Sequence, residues 1–180
     1  MDNFSNIKSL STKLNLFFSL LLILVPLFYI IYWWFINDLS YPFISVNSQA
    51  KQLSPSELSI KLQVLGFLAS LFPLSAFFYG VLQLKKLFSF YQKGIIFSLE
   101  HVSIFKKLAK ALTLWVIFSI IYESVKSVIF SINNPEGSRV LQVGIDSNQV
   151  ILLIVSVIIL LIAKIMDEGR KIDEESKFTI

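Results

Sequence analysis

Two long stretches of the chain carry no charged side chain. Residues 14–36 and residues 62–84 are each 23 consecutive uncharged positions, rich in Leu, Ile and Phe. At about 1.5 Å per residue, a helix of that length crosses the roughly 30 Å hydrocarbon core of a bilayer. With 55% hydrophobic and 16% charged residues, the chain also has more apolar surface than a soluble domain can bury. We therefore interpret both stretches as transmembrane helices.

Two further spans are shorter or interrupted by charge. In the segment 111–132, only 12 uncharged residues precede Glu123 and Lys126. The whole segment is long enough to cross a bilayer, and this places both charged groups within or near the membrane. Residues 147–165 supply the last apolar segment. The sequence thus predicts an all-α membrane protein, a single domain over 1–180 with four transmembrane helices.

The distribution of Lys and Arg predicts the orientation of these helices. With four spans, one side receives the N-terminus, the loop 85–110 and the C-terminal segment that includes the tail 166–180. These parts carry 2, 6 and 4 basic residues, twelve in all, against three on the side of the loops 37–60 and 133–146. Basic residues are retained on the cytoplasmic side, so both termini are predicted to be cytoplasmic. The high isoelectric point reflects this bias, and no direct binding of nucleic acid is predicted.

The cytoplasmic loop is predicted to contain a basic amphipathic helix. Gly94 is suited to end the second helix in the left-handed conformation, and Ser98 is suited to cap the next helix. Apolar residues then recur at helical spacing, while Lys106, Lys107 and Lys110 occupy other faces. We expect this helix to lead straight into the third span. Its lysines either lie against the anionic inner leaflet or bind a soluble partner.

The two external loops are longer than hairpin turns and are predicted to have structure of their own. In the second loop, apolar and polar residues alternate in the manner of a β-strand. In the first loop, a similar stretch supplies a partner strand. The apolar positions are Leu141, Val143 and Ile145 in the second loop and Tyr41, Phe43, Ile44 and Val46 in the first. A small β cap formed by the two external loops is the resulting prediction.

The aromatic end of the first span predicts a contact with the membrane surface. Amphipathic aromatic rings favour the headgroup level of a bilayer. Tyr29, Tyr32, Trp33 and Trp34 are therefore interpreted as an interfacial belt that fixes the depth of this helix.

Few residues are suited to catalysis or metal binding. The chain has no cysteine, and His101 is its single histidine, which excludes cysteine nucleophiles and paired-histidine metal centres. No phosphate-binding loop or hydrolase motif is found. We predict no catalytic, cofactor or metal site. His101 is interpreted as a polar surface residue, with pH sensing as the alternative.

Glu123 and Lys126 are the one intramembrane pair of ionisable residues. Their spacing of three places them on one helical face, within pairing distance. Because a lone buried charge is costly, a structural ion pair is the simpler hypothesis. A role in transport of protons or ions is the alternative.

Two segments resemble an uncharacterised family of bacterial four-helix inner-membrane proteins, a domain of unknown function. They are FSFYQKGIIFSLEHVSIFKKLAKAL and the tail IMDEGRKIDEESKFTI. The shared features are an aromatic end of the second helix, Gly94, Ile96, Phe97, Glu100, Glu174, Glu175, Thr179 and Ile180. The resemblance spans most of the chain and implies no enzymatic activity. It also implies that the protein is often encoded beside a small Cro/C1-type helix-turn-helix regulator. His101 departs from the pattern, which usually has Asn there.

These observations favour a non-enzymatic protein of the bacterial inner membrane. In the preferred hypothesis, Lys106, Lys107 and Lys110 bind a cytoplasmic transcriptional regulator, for anchoring or signalling. The alternative is a small transporter or ion-conducting protein that uses Glu123 and Lys126. A membrane-embedded enzyme is the weakest hypothesis, because no nucleophile–base pair is recognisable. Membrane lipid is the other expected partner, and the oligomeric state stays open because no GxxxG motif is present.

Overall fold

A computed structural model describes residues 3–38, 57–95 and 98–178 of the chain. They form four helices, and no strand is present in these ranges. The helices are α1 (Asn3–Trp34), α2 (Ile60–Gln92), α3 (Leu99–Ser131) and α4 (Ser147–Phe178). Three of them contain segments long and apolar enough to cross a membrane, namely Asn6–Trp34, Ile60–Gln92 and Ser147–Ile172. The predicted helical class is confirmed, whereas a membrane span within α3 stays a prediction.

The junction between α2 and α3 forms as its local sequence predicts. Gly94 has a φ of 74°, the left-handed conformation that glycine adopts at low cost. Ser98 has extended backbone angles and caps α3, its hydroxyl oxygen accepting a hydrogen bond from the His101 amide. The basic amphipathic segment and the apolar segment that follows it belong to one uninterrupted helix.

Consecutive helices pack against each other in antiparallel pairs. The further along one helix a contact lies, the nearer it lies to the start of the next helix. Such contacts are Phe18 with Phe88, Trp33 with Gly66, Phe72 with Phe118, and Phe90 with His101. Between α3 and α4, the Ser156 hydroxyl donates to the Ala109 carbonyl at 2.9 Å. The bundle is thus an up-and-down arrangement in which α3 lies between α2 and α4.

The prediction of an interfacial aromatic belt is wrong for two of its members. Trp33 is only 2% exposed and Tyr32 is 9% exposed, whereas Trp34 is 73% exposed. The Trp33 ring stacks on Phe130 of α3, with 6.0 Å between centroids. The reason is the absence of a side chain at Gly66, because a Cβ there would overlap the indole ring. α1 is therefore held to α2 and α3 by its aromatic end.

The β cap is not confirmed by the described residues. Its first strand, at Tyr41, Phe43, Ile44 and Val46, lies outside them. Residues 138–146 form neither helix nor strand. The backbone amides of Val140 and Gln142 instead bind serine hydroxyls of α3. Helix side chains thus satisfy the amides that a second strand was expected to satisfy.

Replacing Gly66 by Ala tests the Trp33 contact. The new methyl group must displace the indole ring, and overpacking of this kind costs about 1–3 kcal/mol. We expect a lower free energy of unfolding, measured in mixed micelles of dodecyl maltoside and SDS. Gly144→Ala is the matched control, since a Cβ at Gly144 has no atom within 4 Å. Equal stability of the two variants would contradict the role of Gly66.

Candidate functional site

A polar cleft of about 380 Å³ lies between α3, α4 and the segment that joins them. One wall comes from α3, whose residues Trp115, Ser119, Glu123 and Lys126 line it. Their spacings of four, four and three place them on one face of the helix. The face that sequence analysis singled out for its two charges is therefore the face that opens into a cavity.

The opposite wall comes from the connecting segment and the start of α4. Its lining residues are Gln142, Gly144, Asp146, Asn148, Gln149 and Leu152. Asp146 and Gln149 form a reciprocal capping box. The Asp146 amide donates to Gln149 Oε1 at 2.9 Å, and the Gln149 amide donates to Asp146 Oδ1 at 2.9 Å. The capping box fixes where α4 begins and so fixes this wall.

Two serines of α3 hold the connecting segment in place. Ser131 Oγ accepts from the Val140 amide at 3.0 Å, and Ser127 Oγ accepts from the Gln142 amide at 2.9 Å. Both serines are almost completely buried. They are four residues apart, so they form a row along α3 against which an extended chain can lie. Sequence analysis missed both, although polar residues at that spacing in an apolar helix are a recognisable signal.

Lys126 and Glu123 have different surroundings within the cleft. The Lys126 ammonium lies 5.4 Å from the ring centroid of Tyr32 and 5.8 Å from that of Tyr122. These distances are typical of cation–π contacts. Glu123 Oε2 is buried and has no hydrogen-bond partner among the described residues. The two residues share one cavity, and their direct ion pair stays a prediction.

The three lysines predicted to bind a partner lie toward the other end of α3. Lys106, Lys107 and Lys110 are all exposed, and we call them the lysine surface. On other faces of the same turns, Ile104 and Leu108 are buried in a cluster with Leu87 of α2. Packing therefore fixes the position of this part of α3 and leaves the lysines accessible.

The prediction that His101 is a surface residue is wrong, because its side chain is fully buried. The imidazole centroid lies 5.2 Å from the ring centroids of both Phe90 and Tyr91, at the end of α2. Its Nδ1 lies 2.8 Å from Ser98 Oγ, within hydrogen-bond distance. The aromatic end of α2 folds over the first turn of α3 and removes this histidine from solvent.

Burial also affects the protonation of His101. It lowers the pKa of the imidazole below the ordinary value of 6.5, although the nearby Glu100 charge opposes this. The neutral form is therefore the one that the fold stabilises. Its contribution is fully present above pH 6.5 and decreases as the pH falls below that value, because the unfolded chain then binds more protons.

The charged tail forms pairs within α4. Asp167 and Arg170 are 3.3 Å apart, and Glu168 and Lys171 are 3.1 Å apart, each pair being three residues apart in sequence. The Glu168–Lys171 pair is exposed and contributes little to stability, whereas Asp167 and Arg170 are half-buried. The exposed pair indicates a solvated side at the end of α4, beyond its apolar part.

Replacing both Ser127 and Ser131 by Ala tests the attachment of the connecting segment. Each loss removes one hydrogen bond worth about 1 kcal/mol, so we expect amide exchange in residues 138–146 to accelerate on the order of tenfold. Hydrogen–deuterium exchange of peptides from this segment measures the change. Ser124→Ala is the control, because its hydroxyl donates to Ile120 of its own helix. Unchanged exchange in the double variant would refute the attachment.

Comparison with known proteins gives one result. A family model described as a protein of unknown function (DUF2975) matches residues 11–180. The match covers nearly the whole chain, so the chain belongs to this family. Comparisons with curated proteins and with solved structures give no match.

Proposed function

We propose that this member of the DUF2975 family is a non-enzymatic inner-membrane protein that holds an acidic soluble partner at the cytoplasmic face. The observation that carries the proposal is the lysine surface. Three exposed ammonium groups lie within five residues of one another, on a helix whose other faces are packed. The proposal further assumes that all four helices cross the membrane and that both termini are cytoplasmic.

The rigidity of the lysine surface supports binding of a partner in preference to loose association with lipid. Ile104 is 1% exposed and Leu108 is 6% exposed, so the backbone of these turns is fixed by α2. A preorganised set of charges loses less entropy on binding than a mobile set. A partner with carboxylates at matching spacing gains specificity from such a surface, whereas a lipid leaflet requires only its charge.

The chemistry of the partner follows from the charge of the surface. Lys106, Lys107 and Lys110 attract an acidic helix or loop of a soluble protein. A small helix-turn-helix regulator is the partner that the family resemblance suggests, with an acidic patch separate from its DNA-binding face. Holding such a regulator at the membrane would keep it away from DNA, or would let a change at the membrane alter its activity.

Charge reversal at the lysine surface tests this proposal. A photoreactive amino acid at position 103, an exposed site one turn from the lysines, captures contacting proteins in cells. The triple change Lys106→Glu, Lys107→Glu and Lys110→Glu removes several charge pairs with an acidic partner. We therefore expect the amount of captured acidic protein to fall about tenfold or more. Quantitative mass spectrometry of the adducts gives the measurement.

The matched control changes the same amount of charge elsewhere on the predicted cytoplasmic side. Lys8→Glu, Lys13→Glu and Lys164→Glu alter three other exposed lysines. They are expected to leave capture unchanged, and fractionation checks that both triple variants insert. If adducts form only with lipid and with the protein itself, the lysines serve the leaflet and the proposal fails.

Transport is a second candidate function, and the cleft at Glu123 and Lys126 favours it. A cavity with two ionisable groups in a membrane helix is the kind of site that ion paths use. We expect Glu123→Gln to abolish proton or cation flux into proteoliposomes, measured with a pH-sensitive or cation-sensitive dye. Absence of flux with the unmodified protein would remove the basis of this candidate.

A further inference from the structure

The cleft contains an acceptor whose hydrogen-bonding capacity is unused. Glu123 lines the cavity, and its Oε2 atom is buried without a partner among the described residues. A buried, unpaired carboxylate oxygen is costly, and native structures rarely retain one that serves no purpose. A donor that enters the cavity from outside the chain would satisfy it once the Glu123 carboxylate turns this oxygen toward the cavity.

The other charged groups of the cleft have contacts of their own. The Lys126 ammonium lies over the rings of Tyr32 and Tyr122. Asp146 Oδ1 accepts the hydrogen bond that caps α4. Glu123 and Asp146 together give the lining two acidic groups against one ammonium. The cleft therefore contains an acceptor that lacks a donor, and its lining has an excess of negative charge.

The remaining lining also suits a positively charged donor. Trp115 also lines the cleft, about two helical turns from Glu123 on the same face of α3, and indole is the ring that attracts cations most strongly. Gln142 and Asn148 add side-chain amide oxygens on the opposite wall. The volume of about 380 Å³ is at the small end of the range for ligand sites.

We propose that this cleft binds an ammonium group, carried either by a small free amine or by the headgroup of an aminophospholipid. The ammonium donates to Glu123, while Trp115, Gln142 and Asn148 line the space for the rest of the ligand. The two sources share the same chemistry at the carboxylate. This site is separate from the lysine surface, and its occupancy needs no movement of the ligand across the membrane.

Binding of ethanolamine tests the free-amine source. The full chain is placed in nanodiscs of phosphatidylglycerol alone, which lacks an amine, and ethanolamine is titrated by calorimetry at pH 7. Ethylene glycol is the uncharged analogue of the same size. We expect saturable binding of ethanolamine only, and a dissociation constant raised about tenfold or more by Glu123→Gln, as for loss of one charged hydrogen bond. Glu136→Gln, at an exposed site of the same loop, is the control.

Retention of lipid tests the headgroup source. The chain is transferred to nanodiscs of mixed phosphatidylethanolamine and phosphatidylglycerol, and native mass spectrometry counts the lipids that remain bound. If ethanolamine fails to bind but phosphatidylethanolamine is retained, and Glu123→Gln abolishes its retention, the source is lipid and the proposal stands.

A second pair of variants keeps the test valid if Glu123→Gln does not fold. Gln142 is half-buried on the opposite wall, so Gln142→Glu and Gln142→Lys change the charge of the cleft without removing a buried group. The first is expected to tighten amine binding and the second to weaken it. The proposal is overturned if neither amine source binds, if ethylene glycol binds as tightly as ethanolamine, or if these variants bind alike. Such a failure would leave partner capture by the lysine surface unaffected.

Discussion

The position of α3 in the bundle matches the cost of leaving a charged side chain without polar partners in apolar surroundings. Glu123 and Lys126 belong to a helix that is otherwise uncharged over residues 111–132. The helix is covered by α2 on one side and by α4 on another, and the aromatic end of α1 reaches it as well. α1 and the apolar part of α4, Ser147–Ile172, keep broad exposed faces. The helix that carries Glu123 and Lys126 therefore has protein neighbours on more sides than α1 or α4 has.

A second constraint acts on the chain that joins α3 to α4. Backbone amides in a segment without helix or strand need partners wherever packing removes them from water. The serines at positions 127 and 131 provide them, and the capping box of Asp146 and Gln149 completes the start of α4. The cleft exists because this segment is held against α3 instead of extending into solvent. Its shape therefore depends on side-chain to backbone hydrogen bonds more than on apolar packing.

The features predicted correctly from sequence are those set by local chemistry. Apolar runs give the helices, and Gly94 and Ser98 give the boundary between α2 and α3 because their conformational and capping preferences act within a few residues. The errors concern which tertiary partner a residue finds. Trp33 is buried because Gly66, on another helix, leaves room for its ring. His101 is buried by Phe90 and Tyr91. The alternation at residues 141–146 predicted an extended chain, yet its amides bind a helix. Of the candidate site, the two charges were found, whereas the opposite wall was not.

α3 contains neither glycine nor proline from Leu99 to Ser131, whereas α1 contains Pro26 and α2 contains Pro73. A helix without such residues has no joint and behaves as a stiff rod. Lys107 and Glu123 are 16 residues apart, so about 24 Å of this rod separates the lysine surface from the cleft. Between them, a Cβ at Gly80 would lie 3.3 Å from Ala111 Cβ, which marks a close approach of α2 and α3. Because one continuous helix carries both sites, the lysine surface and the cleft keep a fixed spacing along its axis, on either side of the close contact with α2.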